Sequence, residues 1–192
     1  MKFTQIPADT FEQLQLNAGV IASDFTPNTG SLTASNIIGA TSGGVNFTST
    51  PTYKDFGEDI DNCPKNTKEL KKIDGYDVKL SGTLVTVTAA VAKKLVGAAD
   101  VATNKITPRA DLASADFADI WWIGDYSDKN GATNGGFVAI HVLDALSTGG
   151  FQLQSSDKEK GKFAFEFTGH TSIETPSVVP FEVYVKAGTA EL

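Results

Sequence analysis

The segment Tyr126-Ser127-Asp128-Lys129-Asn130-Gly131 places oxygen donors at nearly the spacing of a calcium loop. Such a loop needs an acidic first residue and a bidentate glutamate at its end. Tyr126 and Phe137 occupy those positions, so the segment reads as an Asn-Gly hairpin turn. Asp59, Asp61 and Asn62 also cluster oxygens, but no glycine turn follows them. Cys63, His141 and His170 are the soft and imidazole donors, and their spacing fits no zinc framework. There is no Gly-x-Ser-x-Gly nucleophile turn and no phosphate-cradling glycine loop. Asp55-Phe56-Gly57 repeats one kinase element without the other kinase parts. Glu166 and Glu182 are strand carboxylates of the type that hydrolyse glycosides in pairs, with nothing to raise them above solvated surface. Asn46-Phe47-Thr48 is a glycosylation sequon in letters only. The expectation is a protein with no catalytic residue, no metal and no cofactor.

The charges are arranged more tellingly than the nucleophiles. Asp55, Glu58, Asp59 and Asp61 are followed by Lys65, Lys68, Lys71 and Lys72, with only Glu69 out of step. The acidic half of one copy can therefore meet the basic half of another. Contacts of that kind are heterologous and close into rings or run on as filaments. Complementary charge sets their register more than their affinity. The plainer reading is a solvated loop whose charges pair internally.

The elements that must hold this loop are mostly strands. Gln13 to Phe25 alternates, with Gln13, Gln15 and Asn17 on one face. Gly44 to Lys54 and Tyr76 to Val87 read as strands on either side of the charged loop 55–72. Paired glycines in Thr41-Ser42-Gly43-Gly44, Thr133-Asn134-Gly135-Gly136 and Ser147-Thr148-Gly149-Gly150 suggest sharp strand entries. One helix is expected at about 88–97, with Thr88 as its N-cap and Gly97 at its stop. Phe117–Gly124, Phe137–Leu143 and Phe151–Ser155 read as further strands. In Lys162–Thr171, Phe163, Phe165 and Phe167 face a core and Lys162, Glu166 and Thr168 face out. Phe181, Val183 and Val185 are expected to finish the sheet. The fold class is thus mainly β with one helix, a β-sandwich or open barrel. Its divisions are an N-terminal arm (1–12), a single domain (13–186) and a flexible C-terminal tail (187–192).

The chain has 192 residues, a formal net charge of −7 and 41% hydrophobic residues. That balance argues against affinity for nucleic acid, which needs clustered lysine and arginine. It does not argue against a passive conduit. No apolar run is long enough to span a bilayer, and the N-terminus has no signal-peptide pattern. With Cys63 as the only cysteine, no intrachain disulfide can form, and folding in a cytoplasm is expected.

The run from Asp55 to Lys72 resembles the central loop of the major tail proteins of long-tailed bacteriophages and prophages. So do Ile120–Gly131, Ala145–Phe151, Phe163–His170 and the opening Gln15–Val20. No block is a biochemical motif alone; their number and order from about Leu14 to Val185 carry the resemblance. It implies a tail tube protein with an extended loop and N-terminal arm, forming stacked hexameric rings that conduct the genome during ejection. The family has no catalytic residue to carry over. Its partners would be other copies of itself and other tail proteins: tape measure, tail terminator and initiator complex. DNA would pass through the lumen without specific binding, and no membrane is involved. Assembly would occur in the host bacterial cytoplasm and the protein would end in the virion tail. Inter-subunit contact would fall on Asp55, Glu58, Asp59, Asp61, Lys65, Lys68, Lys71 and Lys72. Gln13, Gln15, Asn17, Glu166 and Thr168 are the lumen-facing candidates. A carbohydrate-binding β-sandwich using Trp121 or Trp122 is the alternative, and a small hydrolase using surface carboxylates a third.

Overall fold

The computed structural model describes residues 6–7, 10–126 and 135–188, apart from the side chains of Phe11 and Glu12. The chain is mainly β and antiparallel, with one α-helix among the described residues. Strands β1 (Gln15–Ala22), β2 (Ile37–Gly39), β7 (Ala118–Tyr126), β8 (Gly136–Ser147) and β11 (Phe181–Lys186) form one sheet. Strands β3 (Thr41–Asp55), β4 (Lys71–Leu84), β9 (Gln152–Gln154) and β10 (Lys162–Thr168) form a second. The long strand β8 joins them, pairing with β7 and β11 over most of its length and with β10 at Leu146 and Ser147. A separate hairpin, β5 (Ala99–Ala102) with β6 (Lys105–Pro108), follows the helix.

The alternating aromatics of β10 build the main core. Phe163, Phe165 and Phe167 are buried with Val78, Leu80 and Leu84 of β4 and with Ile21, Ile120 and Val142 from the first sheet. Each fully buried side chain of this size contributes roughly 1.5–3 kcal/mol. Helix α1 (Ala89–Val96) closes the core with Val91 and Leu95. Its first turn is capped by Thr88, whose Oγ1 accepts from Val91 N at 3.2 Å, and Gly97 ends it at φ +84°. A second cluster lies on the other face of the first sheet. There Ala22, Trp121, Phe137 and Ala139 are covered by Phe25 and Leu32 from the segment after β1.

Several boundaries differ from the sequence expectation for local reasons. The Gly43-Gly44 pair sits inside β3 rather than at its entry. Both residues have positive φ, and the register with β4 slips between Thr41 and Val45. This is a bulge that only glycines take without strain. Strand β1 is shorter than 13–25, and a bulge between Leu16 and Val20 breaks its alternation. Of the β11 apolar set, Phe181 packs on Phe47 and Tyr76, while Val183 and Val185 remain more than half exposed. The β5–β6 hairpin has no counterpart in the sequence reading, and the Asn-Gly turn after Tyr126 lies outside the described residues. No described helix is long and apolar enough to cross a membrane.

Candidate functional site: a projecting split-charge arm

The charged loop is the end of a longer projection. Strand β10 covers β4 only from Lys79 to Leu84, while the β3–β4 ladder continues to Asp55 and Lys71. The outer part of this hairpin is therefore two-stranded. An isolated two-stranded ribbon is marginal in water, so its end must be held locally. Asp55 Oδ1 accepts from Gly57 N at 2.8 Å, and Phe56 N donates to Leu70 O at 3.0 Å. Gly57 is buried against Cys63 and Leu70, where a Cβ would lie 3.0 Å from the sulfur and 3.1 Å from Leu70 Cδ1. Thr67 Oγ1 donates to Pro64 O at 2.7 Å and tightens the far side.

The two faces of the arm continue the two faces of the wall, because paired residues share a face. The inner row runs Phe47/Leu80, Ser49/Val78, Pro51/Tyr76 and then Tyr53/Ile73. Tyr53 and Ile73 lie beyond the end of the core and are more than half exposed, as are Phe56 and Ile60 at the tip. The outer row runs Asn46/Ser81, Thr48/Lys79, Thr50/Asp77, Thr52/Gly75 and Lys54/Lys72. A bulge between Thr52 and Tyr53 leaves Asp74 out of the ladder.

Charge on the arm is left largely uncompensated. Lys68 pairs with its neighbour Glu69 at 3.4 Å. Lys71 donates to Asn66 Oδ1 at 2.9 Å and lies over the Tyr53 ring. Among the described residues, Glu58, Asp59, Asp61, Lys65 and Lys72 form no ion pair. The internal pairing of acidic and basic halves that a solvated loop would favour is not formed. A concavity of about 470 Å³ opens beside the loop, lined by Asp55, Glu58, Asp59, Lys65 and Asn66 among others. Sequence reasoning found the charges but missed Lys54, Tyr53 and Ile73. Their signal is the cross-strand register, which periodicity alone does not supply.

The lumen candidates fall into two separate groups. Glu166 and Thr168 lie on the outer face of β10, in register with Ser81 and Lys79. Thr148 Oγ1 donates to Glu166 Oε1 at 3.0 Å and lies 2.8 Å from Thr168 Oγ1. Together with Asn46, Thr48, Thr50 and Thr52 they make a hydroxyl-rich surface. Gln15 and Asn17 belong to β1 in the other sheet, and Gln13 ends the short 3-10 turn before it. Asn17 takes φ +64° in the bulge and donates to Asp125 Oδ2 at 2.7 Å, whereas Gln15 Nε2 folds back onto Leu16 O and Asn17 O. The three residues thus do not form the single wet face that strict alternation predicts.

The histidines and tryptophans are engaged elsewhere. His141 Nε2 lies 3.0 Å from Asp119 Oδ2 and Nδ1 lies 3.3 Å from Glu182 Oε2. Trp121 stacks on this imidazole at 3.9 Å and is buried. Tyr184 donates to Glu182 at 2.5 Å, and this bond, with the contact to His141, holds the Glu182 carboxyl below its usual range. His170 Nδ1 lies 3.1 Å from Asp144 O, beside the edge of Phe117. Trp122 spends its indole N–H on Ala18 O at 3.0 Å. Among the described residues no three of His, Cys, Asp and Glu gather as a metal site. Compared with known protein families and with curated proteins, the chain matches none.

Proposed function

We propose that the chain is a structural subunit of a bacteriophage tail tube, adding to copies of itself as stacked six-membered rings through which DNA leaves the particle. The observation that carries this reading is the projecting arm. It holds acidic and basic side chains that form no ion pair among the described residues and apolar side chains that stay more than half exposed. Both features cost free energy in a lone subunit and are relieved when copies meet. The resemblance of the loop and four further blocks to major tail proteins supports the same reading. The tape measure, tail terminator and initiator complex are the other tail partners this role requires.

The hydroxyl-rich outer face of β3, β4 and β10 is the better bore surface of the two candidate groups. It carries Asp77 and Glu166 beside Lys79 and Lys162, so its charge is mixed. A polyanion there would meet hydroxyls among mixed charges, rather than the uniformly acidic lining that the net charge suggests. The carbohydrate alternative loses its platform, since Trp121 is buried under a stacked imidazole and Trp122 is half-buried against the core.

Negative-stain electron microscopy and sedimentation at rising protein concentration, with and without purified tail initiator complexes, test the proposal. Rings or filaments of uniform width are expected. Monomers under every condition, initiators included, would contradict it.

A further inference from the structure

Lys54 and Lys72 stand directly opposite each other on β3 and β4, and both are exposed. Opposed like charges destabilise an antiparallel pair. Among the described residues neither ammonium has a carboxylate partner; Lys54 Nζ lies instead over the Phe56 ring, 5.4 Å from its centre. At the head of the loop, Glu58, Asp59 and Asp61 are exposed and form no ion pair among the described residues. The chain thus presents an unanswered pair of cations and an unanswered set of anions on one arm. Lys54 lines the same concavity, of about 630 Å³, as Glu58 and Asp59, yet among the described residues no ion pair closes across it.

Resting on the tube reading, we propose that the Lys54–Lys72 pair is the seat for the Glu58, Asp59 and Asp61 carboxylates of a second copy. Every copy carries both halves of the contact, so the supply of each matches the demand for the other. The contact joins two different patches and therefore propagates. Phe56 and Ile60 lie beside the charges and are exposed, and their burial on docking shields the ion pairs from solvent. Nucleic acid is the other polyanion that two lysines attract. It is disfavoured because Asp74 and Asp77 lie on the same stretch of β4 and the chain is acidic overall.

Two variants test the seat, K54E/K72E and E58K/D59K/D61K, each checked for native circular dichroism. Alone, each should need roughly tenfold more protein to assemble than wild type, equivalent to about 1.4 kcal/mol. Mixed in equal amounts they should co-assemble near the wild-type concentration, because reversed seats then meet reversed heads and native seats meet native heads. A mixture no better than either variant alone would overturn the proposal, as would normal assembly of K54E/K72E. If wild type assembles and the mixture does not, the seat falls and the tube reading stands; if wild type never assembles, both fall. A short DNA duplex retained by wild type and released by K54E/K72E would assign the pair to nucleic acid and overturn it as well.

Discussion

Asp116 and Glu58 show how the acidic residues divide. Asp116 has no solvent-exposed side-chain surface and accepts from Ala113 N at 2.8 Å and from Arg109 Nη2 at 2.6 and 2.7 Å. The Ala113 amide, and then the Arg109 guanidinium, hold its carboxyl below the ordinary range. Arg109 Nε also lies 3.0 Å from Asp100 Oδ1, though without an aligned hydrogen bond, so the arginine ties β5 to the approach to β7. A carboxyl lowered by folding stabilises the native state above its unfolded value, and that stabilisation is lost as pH falls through the folded value. Urea midpoints of wild type should therefore drop between about pH 5 and pH 2, and D116N should flatten that part of the curve while lowering stability at neutral pH. An unchanged slope in D116N would mean that other carboxylates govern acid unfolding. Glu58, by contrast, is exposed and forms no ion pair among the described residues, so its charge is available to an outside partner while that of Asp116 is not.

Among the elements, the β3–β4 arm holds the exposed charges, and the sequence makes it only partly legible. The charge pattern of 55–72 was plain in the sequence. The sequence pattern ends the strands near Lys54 and restarts them at Tyr76, because Lys71, Lys72 and Asp74 lack an apolar alternation. Backbone pairing to β3 extends the ladder there without it. Helix α1 was legible because Thr88 and Gly97 are local signals. The β10 core face was legible because three phenylalanines alternate without a break. Strand β1 departs from its sequence pattern, since positive φ at Asn17 and Gly19 shifts the phase in a way that spacing does not reveal. On the arm, K68E/K71E/K72E should weaken ring stacking while shifting monomer stability by no more than about 0.5 kcal/mol, because all three side chains are surface groups. Most of the loss should trace to Lys72, since Lys68 and Lys71 already have partners within the arm. Normal polymerisation of this variant at several salt concentrations would remove the basic half from the contact.

At the scale of the molecule, the chain hides its main apolar surface between two sheets joined by β8 and presents three features on its surface. These are the arm, the exposed edge at Val183 and Val185, and the hydroxyl-rich outer wall. Its titratable clusters instead hold the fold: Arg109 with Asp116, and His141 between Asp119 and Glu182. Such a distribution suits a part that is completed by its own copies. The most direct measurement is labelling of intact phage particles, from a lysate in which this chain is expressed, with an antibody raised against it. Label along the full length of the tail is expected, with a copy number per particle that grows with tail length. Unlabelled particles that lack the chain by mass spectrometry would contradict it.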